Sequence, residues 1–150
     1  MSAKAWSLVS GDILATDKLE PFVGKKAIIV DDDDFIREAL RQILRQKKLN
    51  IVSEVSRGER LLDFLRMQKV DYVFLDVKMP GMSGLEVLET MREEGMTPKV
   101  VIISGSATKE VVQSALALGA VGFVAKPFNP AAVFKVLDRI SDAERTKASQ

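Results

Sequence analysis

The chain has 150 residues, of which 47% are hydrophobic, with 22 Lys and Arg against 21 Asp and Glu. These values are typical of one globular domain, and the formal net charge of +1 predicts no direct binding to nucleic acid or to an anionic membrane surface. The absence of Cys and His from the sequence excludes disulfides, thiolate metal sites and imidazole catalysis, and leaves carboxylates, hydroxyls and lysines for chemistry.

The sequence of residues 1–24 does not predict a single structure. Two apolar patches, residues 5–9 and 13–15, flank a Ser-Gly-Asp sequence, a pattern typical of a short hairpin or of one amphipathic turn. Three interpretations of this segment remain open: it is a docking arm, the remnant of an upstream domain, or a segment packed on the following domain. Polar residues interrupt the start of the chain where a signal peptide would be apolar, and no stretch approaches the ~20 apolar residues of a membrane span. We therefore expect a cytoplasmic location.

Strands and helices are predicted to alternate from residue 26 onward. Short apolar runs predict β-strands at Lys26–Val30, 51–55, 70–75, 100–103 and 121–125. Apolar residues at helical spacing predict α-helices at 35–48, 59–67, 85–94, 109–118 and from Pro130 onward. This alternation predicts the α/β class, with a five-stranded parallel sheet, right-handed crossovers and helices on both faces.

Two helix ends and one helix face can be predicted in more detail. Asp33 or Asp34 is expected to cap the first helix, where the helix dipole favours a negative charge, and Asn129 to cap the last. The spacing in the helix over 109–118 predicts four residues facing the core, namely Val111, Val112, Ala115 and Leu116.

Five polar side chains fall at the carboxyl ends of the predicted strands. Asp31 and Asp32 follow the first strand, Asp76 the third, Ser104 the fourth and Lys126 the fifth. Ligands of parallel sheets bind at this edge, near the point where the strand order reverses. Carboxylates gathered there are costly unless a cation neutralises them, and hard oxygen ligands suit Mg²⁺. The sequence therefore predicts a magnesium site at this edge.

These residues and their neighbours resemble the receiver domain of bacterial two-component response regulators, the CheY-like family. The resemblance rests on the pair Asp31-Asp32, on Asp76 ahead of Met-Pro-Gly-Met-Ser-Gly at 79–84, on Ser104 and on Lys126-Pro127. It covers residues 25–141 and implies the flavodoxin-like (βα)5 fold, with a cis peptide bond before Pro127. The rest of the chain is the extension at 1–24 and a polar tail at 142–150 that we expect to fray.

The resemblance implies a phosphoacceptor of two-component signal transduction, which catalyses only its own phosphorylation and dephosphorylation. A histidine kinase or a phosphotransfer protein donates the phosphoryl group, and Asp76 matches the aspartate that accepts it. Asp32 matches the direct Mg²⁺ ligand, and Asp31 the acid that holds a metal-bound water. The implied metal site is completed by Asp76 and by the backbone carbonyl of Lys78. Lys126 matches the lysine that binds the phosphoryl group.

The resemblance also implies a conformational switch. Ser104 matches the hydroxyl that hydrogen-bonds the phosphoryl group, and Phe123 stands where many receivers carry a switch tyrosine. The face built by residues 109–118, 121–125 and the last helix is then expected to bind a partner or to form a homodimer. No output module follows in this sequence, so we expect the output to lie in another protein or in residues outside this sequence.

Two other classes of function remain open. Phosphatases of the haloacid dehalogenase type also place a nucleophilic Asp after a strand with Mg²⁺, but they need a second Asp two residues later, where this chain has Lys78. Asp31 and Asp33 do offer the D-x-D spacing, although the Lys-Pro and Met-Pro-Gly sequences are then unexplained. The other class is an interaction module that works without phosphorylation, such as a receiver whose site has degenerated.

Overall fold

Five strands alternate with five helices over residues 20–148, the part of the chain that the computed structural model describes. The strands are β1 (Lys26–Val30), β2 (Asn50–Val55), β3 (Tyr72–Leu75), β4 (Lys99–Ser104) and β5 (Gly122–Ala125). The helices are α1 (Asp34–Gln46), α2 (Gly58–Met67), α3 (Gly84–Glu93), α4 (Lys109–Ala117) and α5 (Pro130–Ala148). Each predicted element is therefore present, with bounds that differ by at most two residues at the ends that were predicted.

All five strands pair in parallel in one sheet, in the order β2-β1-β3-β4-β5. This is the flavodoxin-like order, and it reverses between β1 and β3. The carboxyl ends of these two strands therefore lie side by side. Asp31 and Asp76 follow directly, so the topology alone brings their backbones together.

The two faces of the sheet carry separate apolar cores. On one face, Ile29 and Phe74 pack with Leu40 of α1 and Leu137 of α5. On the other face, the alternating residues of the same strands pack with α2, α3 and α4 through Leu61, Leu88 and Ala115. Because both faces are covered, β3 is buried along its whole length, which explains its uninterrupted apolar sequence. The predicted helices on both faces are confirmed.

Side chains cap the first and the last of the helices that lead away from the carboxyl edge. The Asp33 carboxylate caps α1 by accepting hydrogen bonds from the amides of Phe35 and Ile36, so Asp33 rather than Asp34 is the cap. Asn129 Oδ1 accepts a hydrogen bond from the Ala132 amide at 2.8 Å, at the start of α5. The expected position of Asn129 as a cap is confirmed.

The prediction for the face of α4 is wrong at Leu116 and is not confirmed at Val112, which is half-buried. Leu116 is 53% exposed, whereas Ala115 is buried and Val111 and Leu118 are partly buried against the core. The helix contacts the core along a narrow stripe at i, i+4 and i+7, and Leu116 lies about 100° around the helix from Ala115.

The expectation of a fraying tail from residue 142 is wrong as far as residue 148. Helix α5 continues through Ala148, and Asp142 pairs with Arg145 on its surface. Glu144 is held by two residues of the sheet, because the Tyr72 hydroxyl donates to it at 2.8 Å and Lys99 Nζ lies 2.5 Å away. These tertiary contacts order a segment whose polar sequence suggests none.

The core also reaches beyond the predicted start of the domain. Phe22 is 1% exposed, and its ring packs edge-on against Tyr72, with ring centroids 5.5 Å apart. Residues 1–19, with the two apolar patches of the extension, lie outside the described residues, as do 149 and 150. None of the helices within 20–148 combines the length and apolar character needed to cross a lipid bilayer.

Candidate functional site

Three carboxylates meet at the carboxyl edge of the sheet. Asp31 and Asp32 follow β1, Asp76 follows β3, and one carboxylate oxygen from each lies within 4.8 Å of the others. Asp31 and Asp76 are 1% and 4% exposed, whereas Asp32 is exposed to solvent. The three predicted acids are therefore together, and Asp32 is the one that a ligand from solvent reaches first.

Lys126 brings one positive charge to this cluster from the end of β5. Its Nζ lies 2.7 Å from Asp31 Oδ2 and 3.4 Å from Asp76 Oδ1. Burial lowers the pKa of the Lys126 ammonium, but the hydrogen bond and charge of Asp31, together with Asp76, outweigh that effect and leave the pKa above its ordinary value. The lysine is therefore a charged partner of both buried acids and not a solvated surface cation.

The cluster still carries a surplus of negative charge. Burial raises the pKa of the Asp76 carboxyl, the nearby Asp31 charge raises it further, and Lys126 offsets these effects only in part. Three carboxylates face one ammonium group, and all the ligand atoms offered are hard oxygens. This donor set fits Mg²⁺, which binds through one or two carboxylates and retains several waters.

The neighbours of the cluster have other roles. The second oxygen of Asp31 accepts a hydrogen bond from the Asp33 amide at 2.9 Å, and Arg37 Nη1 donates to the Asp31 carbonyl at 2.6 Å. Asp33 caps α1, and Asp34 pairs with Arg37. The D-x-D sequence of Asp31 and Asp33 therefore forms a hydrogen-bonded turn, in which the Asp33 carboxylate caps α1.

The loop after Asp76 is folded tightly back on its own start. The Gly84 amide donates to the Val77 carbonyl at 2.7 Å, and a Cβ atom on Gly84 would lie only 2.1 Å from the Asp76 carbonyl oxygen. Gly81 has a φ of +80°, a conformation that favours glycine. Ser83 caps α3 in a reciprocal capping box with Glu86. The two glycines are therefore required by the backbone that presents Asp76.

Ser104 lies at the same edge, fully buried at the end of β4. Its Oγ accepts a hydrogen bond from the Ser106 amide at 3.0 Å, so in this structure the hydroxyl caps its own loop. Phe123 on β5 is half-buried and packs against the core on the side of α2, α3 and α4. The peptide bond between Lys126 and Pro127 is cis, which confirms that prediction.

Glu59 is a contact of this site that sequence analysis missed. It lies in the first turn of α2, and its Oε1 accepts a hydrogen bond from the Met82 amide in the Asp76 loop at 3.1 Å. The sequence held no signal for this contact, because an acid in the first turn of a helix is common for reasons of the helix dipole alone.

Comparison with known proteins matches these features to one family. The model of the response regulator receiver domain matches residues 27–138. Chemotaxis protein CheY-3 of Vibrio cholerae is 33% identical over 77% of this chain and 90% of its own length. The nitrate/nitrite response regulator NarL of Escherichia coli is 31% identical over 78% of this chain, which spans only 55% of NarL.

Solved structures agree with the sequence matches. The crystal structure of a CheX-CheY-BeF3-Mg+2 complex from Borrelia burgdorferi has a TM-score of 0.75 and 28% identity, covering 79% of this chain and 90% of that one. A CheY-like receiver domain protein from Methanospirillum hungatei has a TM-score of 0.73 and 25% identity, covering 82% of this chain and 98% of that one.

Proposed function

This chain belongs to the response regulator receiver domain family of two-component signalling, and from that membership we propose that it accepts a phosphoryl group on Asp76 with Mg²⁺ as cofactor. The observation that carries the proposal is the buried Asp76 carboxylate, set against two further acids and in contact with Lys126. We propose a histidine kinase or a phosphotransfer protein as the phosphoryl donor.

Asp31, Asp32, Asp76 and the backbone carbonyl of Lys78 would hold the metal. When bound, Mg²⁺ supplies the positive charge that neutralises the oxygens during phosphoryl transfer. The acidic cluster supports this assignment, because its charge surplus has no other counterion in the described part of the chain than Lys126. The similar CheY of Borrelia burgdorferi forms a complex that contains BeF3 and Mg+2.

Three side chains of the site have separate roles in the phosphoryl transfer. The Asp76 carboxylate attacks phosphorus, and the bond from phosphorus to the donor breaks as the new oxygen–phosphorus bond forms. Lys126 stays charged beside Asp76 and would pair with an oxygen of the transferred group. Asp31 fixes the lysine through their 2.7 Å contact. Lys78 stands where a phosphatase of the haloacid dehalogenase type needs an acid, so we propose no turnover of an independent substrate.

Treatment with acetyl phosphate and Mg²⁺ tests this proposal. Intact-mass measurement should show one phosphoryl adduct on the wild type and none on Asp76→Asn, which keeps the side-chain shape but loses the nucleophile. Asp71→Asn is the matched control, because Asp71 is exposed at the opposite end of the same strand. The control should be labelled like the wild type. Undiminished labelling of Asp76→Asn would remove Asp76 from its role.

We further propose that phosphorylation changes the face built by α4, β5 and α5. Ser104 would release the Ser106 amide and turn toward the phosphoryl group, and Phe123, now half-buried, would rotate into the space vacated. Leu116 and Val121 of this face are 53% and 41% exposed, which suits binding of a partner protein or of a second copy.

Hydrogen exchange with and without beryllofluoride and Mg²⁺ tests the switch. Changes in protection should extend from the Asp76 loop to residues 109–126. Asp76→Asn under the same treatment is the control and should show no change. Protection changes that stay within the Asp76 loop of the wild type would contradict the switch.

A further inference from the structure

Glu59 links the Asp76 loop to the start of α2. Besides the Met82 hydrogen bond, its Oε2 lies 3.3 Å from Arg57 Nε, in the segment between β2 and α2. The hydrogen bond from the Met82 amide lowers the pKa of the Glu59 carboxyl; burial opposes that shift, and the Arg57 charge adds to it. The group that receives the Met82 amide is thus a carboxylate at neutral pH.

The loop is anchored differently at its ends and at its middle. Its start follows β3, and its end is fixed by the bond from the Gly84 amide to Val77 and by the capping box of α3. Within residues 20–148, two side chains beyond the loop accept hydrogen bonds from the backbone of residues 77–83. One is Glu86 of the capping box, and the other is Glu59. Besides the packing of Met79 and Met82 against the core, the middle of the loop is therefore held from outside by one tertiary hydrogen bond.

Glycines in the loop and at the start of α2 leave room for this contact. A Cβ atom on Gly81 would lie 3.0 Å from both Arg57 Nη2 and Glu59 Oε1, so a side chain there would crowd the pair. A Cβ atom on Gly58 would lie 2.2 Å from Val87 Cγ2, so the lack of a side chain lets α2 approach α3. Two glycines thus let the first turn of α2 reach the loop.

We infer that Glu59 is a positioning residue, which holds the middle of the Asp76 loop so that Asp76 and the Lys78 carbonyl are set in place before metal and phosphoryl donor bind. This role rests on the proposed function, because Lys78 enters it as a metal ligand. Glu59 acts through the Met82 amide and touches no reacting atom. Without this bond the loop has more conformations available, and each binding event must restrict them.

Glu59→Ala and Glu59→Gln separate this role from a general effect of charge. In Glu59→Ala, we expect faster exchange of the Met82 amide without metal, and a loss of Mg²⁺ affinity by about two- to tenfold, the range for one net hydrogen bond. Glu59→Gln keeps an oxygen that can accept the bond and should restore both values to near those of the wild type. Amide exchange by NMR and calorimetric titration with MgCl₂ give the two readouts.

Two controls sharpen the test. Glu110→Ala removes a first-turn acid from α4, a helix that does not follow or precede the Asp76 loop, and should leave both readouts unchanged. Arg57→Ala removes the ion pair but keeps the acceptor for Met82, and should also stay near the wild type. An effect of Arg57→Ala as large as that of Glu59→Ala would overturn the role assigned to the hydrogen bond.

The outcomes also distinguish this inference from the function on which it rests. If the wild type binds Mg²⁺ and is phosphorylated, but Glu59→Ala matches it in Met82 exchange and in Mg²⁺ affinity, only the positioning role is overturned. If the wild type binds no Mg²⁺ and takes no phosphoryl group, the proposed function fails, and the positioning role fails with it.

Discussion

Each edge of the sheet holds a cluster in which lysine contacts carboxylate, and the two clusters differ in their numbers of acids and hydrogen-bond donors. At the carboxyl edge, Asp31, Asp32 and Asp76 share the single ammonium of Lys126. At the amino edge, the Glu144 carboxylate alone receives the Tyr72 hydroxyl and the Lys99 ammonium. One cluster has more acceptors than donors, and the other has more donors than acceptors.

The balance of each cluster appears in the pKa of its acid. Burial raises the pKa of Asp76, and the surrounding charges do not reverse that direction. Burial also acts to raise the pKa of Glu144, but hydrogen bonds from Lys99 and Tyr72 outweigh it and lower the pKa. A cluster left with surplus charge is suited to bind a cation, whereas a satisfied one holds α5 to the sheet. Substitutions at each edge therefore test whether the two clusters have separate roles.

The largest effect is expected for Gly84→Ala. The added Cβ would lie 2.1 Å from the Asp76 carbonyl oxygen and 2.9 Å from Val77 Cα, so the backbone that presents Asp76 must move. We expect a loss of about 1–3 kcal/mol in the free energy of unfolding, as for overpacking in a core. Urea unfolding measures the loss, and labelling by acetyl phosphate should slow with it. Gly105→Ala is the stability control, because nothing lies within 4 Å of its added Cβ.

Asp32→Ala should separate binding from stability. Removing one acid of the crowded cluster relieves like-charge repulsion, so the melting temperature without metal should rise or stay unchanged. Mg²⁺ affinity should fall by about tenfold or more, a scale already seen when a supporting contact of a metal site is lost. Calorimetry measures the affinity. Equal Mg²⁺ affinity in the variant and the wild type would refute the assignment of Asp32 as a ligand.

Tyr72→Phe should affect only the amino edge. The variant removes the hydroxyl that donates to Glu144 at 2.8 Å and keeps the ring that packs on Phe22. We expect a loss of about 1 kcal/mol in the free energy of unfolding, the usual net value of one hydrogen bond. Labelling of Asp76 should proceed at the wild-type rate. Slower labelling would show that the two edges are coupled and that their division is wrong.

A smaller effect is expected from the titration of Glu144. Its folded-state pKa lies below the ordinary value of 4.5, so its contribution to stability is fully present above pH 4.5 and is lost as pH falls through the folded-state pKa. Glu144→Gln lacks this contribution at every pH. The difference in unfolding free energy between wild type and variant should therefore shrink as pH falls below 4.5. A difference that grows in acid would contradict a lowered pKa for Glu144.

The sequence predicts the carboxyl edge far better than the amino edge. Asp31, Asp76 and Lys126 follow apolar strands, and parallel pairing brings such ends together whatever the details of packing. The strands themselves are recognisable because both faces are covered, which leaves short and nearly continuous apolar runs. For these reasons the element order and the site acids follow from local patterns.

The parts missed depend on contacts between distant residues. Tyr72 and Glu144 are 72 positions apart, and neither sequence neighbourhood indicates that they meet. The same contact orders the end of α5, where the polar sequence alone predicts fraying. Phe22 lies in a segment with no periodic pattern, and Glu59 resembles any acid in a first helical turn. Tertiary packing, not local propensity, decides all of these.

Locating the phosphoryl group within the chain tests the central claim most directly. After treatment with acetyl phosphate and Mg²⁺, borohydride reduces an acyl phosphate to the alcohol, which converts the modified aspartate into homoserine. Peptide mapping of the wild type should then find homoserine at position 76, and Asp63 and Asp71 should remain aspartate. Homoserine at another aspartate, or none at any position, would contradict the assignment of the carboxyl edge as the site of phosphoryl transfer.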